Sequence, residues 1–330
     1  MIITRTPFRL SLFGGGTDYN AWFHQHGGLV IGATFSRYCY LSCRHLPPFF
    51  DYKTRVVYSR TENIVHNHEI QHPAVRGCLE HLGIEDGLEI HHDGDLPARS
   101  GLGSSSAFTV GLLLCLKALR HEMPTKRSLA DQAIHVEQKL LKENVGIQDQ
   151  IFAAHGGMKA IHIDRSGDYE ASHLILPPDY MRALEEHILL GFTGQTRIAD
   201  TLASSQIKKI ESGQPNMGEI HRIAQEALQL LNQHVDLSKI GELLDASWKV
   251  KRSIADGISN DGIDELYDAA KKAGAYGGKL LGAGGGGFMM FFAPPYRHQQ
   301  IQKALPSIKV WVPFKFDKTG SQVIFHNDES

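Results

Sequence analysis

The stretch Asp95-Leu-Pro-Ala-Arg-Ser-Gly-Leu-Gly-Ser-Ser-Ser-Ala107 joins a β-rich run, Leu88 to His92, to an apolar helical pattern over about 104–121. Gly101 and Gly103 remove the side chains that would keep a ligand off the backbone. Ser104, Ser105 and Ser106 then fall at the helix N-terminus, where free N–H groups and the helix dipole favour an anion. Their hydroxyls add donors or a metal ligand. The chemistry this arrangement serves is phosphate binding. No lysine follows the second glycine, so it is not the G-x-x-x-x-G-K-[ST] loop, and it is not a G-x-G-x-x-G turn. A serine-capped helix after a glycine turn would explain one serine and one glycine, but not the whole string.

Charged candidates lie on either side of this cradle. Arg9 sits on the polar face of a strand over 2–13, where Phe8, Leu10 and Leu12 alternate with Arg9 and Ser11. The strand runs into Gly14-Gly-Gly-Thr-Asp-Tyr19, a tight turn that places Gly16, Thr17 and Asp18 to face a pocket. Taken alone, Arg9 is a surface charge and Asp18 an Asx turn. Glu137 lies on a helix from Ser128 to about 142, where pairing with Lys139 or Lys142 is the simpler reading. Asp149 opens a short helix between Gly146 and Gly156-Gly157, where a carboxylate also caps. Its neighbours Gln148 and Gln150 are positioning candidates. Thr193-Gly-Gln-Thr-Arg197 and the basic trio Lys249, Lys251 and Arg252 supply cations, although a solvated basic face explains any single one. Gly277-Gly-Lys-Leu-Leu-Gly-Ala-Gly-Gly-Gly-Gly-Phe288 feeds directly into an apolar strand, which a flexible linker would not do.

The elements that position these residues alternate in type. Strand patterns fall at 27–33, 38–43, 55–59, 157–163, 187–192, 288–293 and 309–313. Helical patterns fall near 74–82, 197–211, 217–234, 238–255, 261–274 and 295–304. This order predicts layered α/β structure rather than a regular βαβ array. A length of 330 residues suits two domains, and Pro177-Pro-Asp179 marks the division, giving 1–178 and 179–330. With 42% hydrophobic residues, 21% charged residues and a net charge of −2, there is no global attraction to nucleic acid or to an anionic membrane. No apolar run of membrane-spanning length is present, and the N-terminus lacks a signal peptide's basic start and apolar core, which predicts a cytoplasmic chain. Cys39, Cys43, Cys78 and Cys115 form no C-x-x-C pair and read as small apolar residues. His91 and His92 occupy adjacent strand positions and point to opposite faces, which argues against a shared metal. Composition leaves the choice between monomer and homodimer open.

Pro97-x-x-x-Gly101-Leu-Gly-Ser-Ser resembles the central ATP-binding motif of the kinases named after galactose, homoserine, mevalonate and phosphomevalonate, the GHMP kinases. Thr6 to Tyr19 resembles the first motif of that family and Gly277 to Phe288 the third, so the resemblance spans nearly the whole chain. It implies an α+β fold of two domains, an N-terminal ribosomal-protein-S5-like α/β domain and a C-terminal ferredoxin-like α+β domain. ATP and Mg²⁺ are the implied cofactors. Pro97, Gly101, Leu102, Gly103, Ser104, Ser105 and Ser106 are implied to bind nucleotide, and Ser105 with Glu137 to hold the metal, Ser104 being an alternative ligand. Asp149, in a Gly-x-x-Asp-Gln segment, takes the role of general base with Arg9 beside it. Gly16, Thr17, Asp18, Gly284 and Gly285 fall on the acceptor side, with Arg197 and Lys251 as cations for an acceptor phosphate. The Gly14-Gly-Gly-Thr-Asp form resembles the branch of heptose-phosphate kinases and fucokinases. It implies phosphorylation of the anomeric hydroxyl of D-glycero-D-manno-heptose 7-phosphate, supplying nucleotide-activated heptose for surface polysaccharide. A free-sugar kinase such as an L-fucose kinase is the alternative, and a non-catalytic sugar sensor a more distant one.

Overall fold

The computed structural model describes the chain except residues 86, 99, 195–203, 205–206, 208, 210–215, 256, 283 and 328–330. The first half builds strands β1 (Ile2–Phe13), β2 (Gly28–His45), β3 (Thr54–Val57), β4 (Thr61–Ile64), β5 (Leu88–Gly94), β6 (Met158–Ile163) and β7 (Tyr169–His173). Its helices are α1 (Asn20–His26), α2 (Pro73–Leu82), α3 (Ser104–Leu119), α4 (Lys126–His135), α5 (Gln148–His155) and α6 (Pro178–Glu186). The second half adds β8 (Ile188–Phe192), β9 (Gly277–Leu280), β10 (Phe288–Phe292), β11 (Val310–Val312) and β12 (Gln322–His326). Its helices are α7 (Asn216–Asn232), α8 (Leu237–Arg252), α9 (Asp261–Lys272) and α10 (His298–Ala304).

Among the described residues there are two sheets. The larger runs β12-β1-β2-β5-β3-β4, with β6 and β7 branching from β2. The two strands expected at 27–33 and 38–43 are one. β2 stays continuous because it changes partner along its length: Gly28–Ala33 pair with β6, and Cys39–His45 pair with β5. The smaller sheet is antiparallel, in the order β11-β8-β10-β9. The first residues of the glycine-rich run are therefore strand rather than loop, with Leu280 opposite Met289. The chain's last strand leaves the second sheet and pairs with β1, Ile2 facing His326. A division at 178/179 thus sends 322–326 back to the first layer, a long-range pairing that no local pattern announces.

α3 is buried from Ser106 to Leu116, on every face, as an apolar helix without a polar stripe must be. It packs on β1 and β2 and holds the larger core together. The second core gathers Trp248, Tyr267 and Phe291 behind the smaller sheet. α7 touches β1 and β2 as well as α8, and so ties the two layers together. The helix expected from Ser128 begins at Lys126, capped by Thr125, whose side chain accepts from the Ser128 N–H at 3.1 Å. From Val136 to Leu140 it widens into a π-helical turn, with the Leu141 N–H donating to the Val136 carbonyl. Such turns recur at functional sites, and this one carries Glu137.

Candidate functional site

β1 delivers Arg9 to the centre of the site. Its Nε and Nη2 donate to the two oxygens of Asp149, each at 2.6 Å, and its Nη1 donates to the Gly101 carbonyl at 2.7 Å. One guanidinium therefore clamps the first turn of α5 to the cradle in the fixed geometry of a planar fork. The Arg9 N–H adds a bond to the Leu102 carbonyl at 3.1 Å. Arg9 is buried, while the side chain of Asp149 keeps 24% of its exposure, so the carboxylate opens toward solvent and its partner does not. Each carboxylate oxygen has a second lone pair free for a hydroxyl.

Glycine is required where the cradle meets the glycine-rich run. A Cβ on Gly101 would lie 2.3 Å from the Leu281 carbonyl oxygen, and one on Gly282 would lie 2.5 Å from Gly101 Cα. Gly103, with a φ of 72°, begins α3 without any side-chain cap. The N–H groups of the first turn are consequently presented by the backbone itself. Leu102 is buried in the core and takes part only through its backbone, and Pro97 is an exposed residue ahead of the loop.

Of the serines named with Glu137 for the metal, none is the one that bonds it. Ser106, not Ser105, meets Glu137: its hydroxyl donates to Glu137 Oε2 at 2.8 Å, whereas Ser105 is exposed. The reason is the helical rotation between successive residues, which turns Ser106 inward. Gln150 donates to the same Glu137 oxygen. Glu137 is fully buried, and its pKa is pushed up to about 8, chiefly by desolvation and next by Glu143, against the hydrogen bonds from Ser106 and Gln150. Its Oε1 and the Oε1 of Gln150 are buried without partners. A buried carboxylate with a spare oxygen beside a hydroxyl and an amide oxygen fits a hard divalent cation that draws its other ligands from water and phosphate. Among the described residues no group of three or more His, Cys, Asp or Glu side chains gathers for a metal.

On the far side of Arg9, Asp18 is buried. Its Oδ1 accepts from the Gly16 N–H at 3.0 Å and from Gln148 Nε2 at 2.9 Å, and its Oδ2 accepts from the Gln148 N–H at 3.2 Å. Desolvation, followed by the nearby Asp149, raises its pKa. Thr17 turns away from this space. It is buried, accepting from the Leu29 N–H at 3.1 Å and lying within hydrogen-bond reach of the Gly14 and Leu29 carbonyls. Its expected acceptor contact is replaced by a structural one. Gly284 and Gly285 also meet protein: a Cβ on Gly284 would sit 2.7 Å from Ile258, and the Gly285 N–H donates to the Ile258 carbonyl.

Of the basic trio, Lys249 pairs with Asp245 and Arg252 with Asp264, each at 2.7 Å. Lys251 instead donates to the Gly282 carbonyl at 2.7 Å. Desolvation, with Arg9 adding to it and Asp18 opposing it, brings its pKa down to about 8. Arg197 and most of the helix expected at 197–211 lie outside the described residues. Sequence reasoning missed Ser106 as the partner of Glu137, and it missed Lys279, a buried lysine in β9. The one available signal for Lys279 was a charge between glycines and leucines in a run otherwise without polar side chains.

Two family models match this chain: GHMP kinases N terminal domain over residues 69–157, and GHMP kinases C terminal over 224–309. The chain belongs to the GHMP kinases. A D-glycero-alpha-D-manno-heptose 7-phosphate kinase of Campylobacter jejuni is 29% identical, with 97% of each chain aligned. A mevalonate kinase of Pyrococcus horikoshii is 27% identical over 70% of this chain and 67% of its own. Among solved structures, a D-glycero-D-manno-heptose 1-phosphate kinase from Bacteriodes thetaiotaomicron superposes with a TM-score of 0.81 at 22% identity, covering 99% of this chain and 100% of its own. The galactokinase of Lactococcus lactis does so with a TM-score of 0.76 at 19% identity, covering 97% and 94%. These structures share the α+β fold of this GHMP kinase. No helix among the described residues is long and apolar enough to cross a membrane.

Proposed function

We propose that this GHMP kinase transfers the γ-phosphoryl group of ATP to the anomeric hydroxyl of D-glycero-D-manno-heptose 7-phosphate, forming the 1,7-bisphosphate. The observation that carries the catalytic part is the Arg9 fork on Asp149, which also holds the Gly101 carbonyl. It supports the reading because phosphoryl transfer asks for a carboxylate that can take the hydroxyl proton beside the phosphates. Asp149 orients the acceptor hydroxyl and takes its proton, and Asp18 and Gln148 hold hydroxyls further along the sugar. The first turn of α3 receives the nucleotide phosphates.

Ser106 and Glu137 are the residues that would hold Mg²⁺, which when bound offsets charge on bridging phosphate oxygens. Lys251, a cation without an ion-pair partner among the described residues, favours a phosphorylated acceptor over a free sugar. The 29% identity to a heptose 7-phosphate kinase over the full length points the same way. The test is ³¹P NMR of the product made from Mg-ATP and the heptose 7-phosphate. A new phosphorus resonance coupled to the anomeric proton supports the reading. Phosphate on any other carbon, or no new ester, overturns it.

A further inference from the structure

Lys279 is a buried lysine that the catalytic account leaves unused. Its Nζ donates to the Leu12 carbonyl at 3.1 Å. Among the described residues it forms no ion pair, and the charged groups that act on it, Lys251 and Arg9, are both cations. Burial and those two neighbours hold its pKa well below the usual lysine range. Lys251 and Arg9 thus lie within electrostatic reach of Lys279, and among the described residues the one carboxylate in ion-pair contact with any of the three, Asp149, is taken up by Arg9. A buried ammonium without a counter-charge is costly, which favours the neutral amine until an anion joins it and draws a proton onto it.

A second observation marks the same place. Ser11 Oγ is buried and has no hydrogen-bond partner, as does Gln148 Oε1. Ser11 shares the Arg9 face of β1 and lies beside Gly15, where a Cβ would stand 3.2 Å from its Oγ. Leu12, where Lys279 is anchored, is three residues beyond Arg9, about 10 Å along the strand. It leads toward the Gly14–Asp18 turn and away from the cradle. Lys251 marks the cradle end of this interval: its ammonium is bonded to Gly282, which packs on Gly101, and lies within electrostatic reach of both Arg9 and Asp18.

We propose that Lys279, with the Ser11 hydroxyl, forms the seat of the acceptor's own phosphate monoester, separate from the position of the phosphoryl group in transfer, with Lys251 between that seat and the cradle. This inference rests on the proposed reading of the acceptor and names the residues that would enforce it. A seven-carbon sugar is long enough to keep its anomeric hydroxyl at Asp149 while its far phosphate reaches this seat.

The test is steady-state kinetics of the full chain with heptose 7-phosphate and with unphosphorylated heptose, for wild type, Lys279→Met and Ser11→Ala. Loss of a charge-assisted contact predicts that KM for heptose 7-phosphate rises about tenfold or more in Lys279→Met and about threefold in Ser11→Ala. KM for ATP, and kcat/KM for the free heptose, stay within about twofold of wild type. Equal losses on both acceptors, or a fall in kcat alone, would assign Lys279 to folding or to the transferred group and overturn the inference. A parallel thermal-shift titration with inorganic phosphate, with Mg-ADP present to fill the cradle, separates this from failure of the acceptor reading. Phosphate should stabilise wild type, and Ser11→Ala and Lys279→Met markedly less. Wild type that is stabilised by phosphate through Lys279 but inactive on heptose 7-phosphate would refute the named acceptor and keep the seat. Equal stabilisation of all three proteins would refute the seat itself.

Discussion

Removing the Arg9–Asp149 pair one partner at a time should reveal a strong coupling. Both bonds measure 2.6 Å, the arginine is buried, and the aspartate side chain is 24% exposed. Opposite charges about 4 Å apart interact by about 4 kcal/mol at an effective dielectric near 20. The solvent opening at Asp149 reduces this to about 2–3 kcal/mol. Arg9→Met strands an unpaired carboxylate and removes the donor to the Gly101 carbonyl, for a loss of about 3–5 kcal/mol. Asp149→Asn keeps one acceptor oxygen but leaves the buried guanidinium without its counter-charge, and should likewise cost about 3–5 kcal/mol. The double variant should then lose less than the sum of the two by about 2–3 kcal/mol. Equilibrium urea unfolding of the four proteins at pH 7 measures the cycle. A coupling energy below about 0.5 kcal/mol, the range of independent sites, would refute the claim that this pair forms one unit binding the base to the cradle.

Gly101→Ala adds a methyl group 2.3 Å from the Leu281 carbonyl oxygen at a φ of +84°, and should destabilise the protein by at least about 3 kcal/mol while weakening ATP binding. Thermal unfolding and isothermal titration check both, and a fully stable variant with native nucleotide affinity would contradict the packed cradle. Glu137 is an acid whose folded pKa is raised to about 8, so the folded state keeps a proton that the unfolded state releases. Its penalty is absent below pH 4 to 5, grows as pH rises toward about 8 and is constant above that. In metal-free protein, Glu137→Gln should therefore raise the unfolding midpoint at pH 8.5 more than at pH 5, and should abolish stabilisation by Mg²⁺ with ADP. An equal shift at both pH values would place the charge penalty elsewhere.

The elements that announced themselves in the sequence are those set by local pattern. β1 alternates between core residues and Arg9 or Ser11, and α3 is apolar around its whole circumference between a glycine turn and Arg120. What stayed hidden was set by distant partners. β2 reads as two strands because the sequence does not show a strand exchanging β6 for β5. β12 finds its partner more than 300 residues away. Which serine meets Glu137 depends on which way one helical turn faces and where the π-helical turn delivers that carboxylate. Thr17 is polar and adjacent to Asp18, yet it is used up by backbone groups of β2 and its own turn. The glycines of the third motif were legible as close approaches. Gly277 and Gly278 approach Gly241 and Met290, and Gly282, Gly284 and Gly287 approach Gly101, Ile258 and Ser100, which only the folded chain reveals.

The central claim is catalysis of phosphoryl transfer to a phosphorylated heptose by a base held on Arg9. Its most direct test is a coupled ADP-release assay with Mg-ATP against D-glycero-D-manno-heptose 7-phosphate, sedoheptulose 7-phosphate, free mannoheptose, L-fucose, galactose and mevalonate, with Asp149→Asn in parallel. The account predicts turnover highest by far on the mannoheptose 7-phosphate and reduced at least about a hundredfold in Asp149→Asn. Turnover highest on an unphosphorylated sugar, or undiminished in the variant, would contradict it.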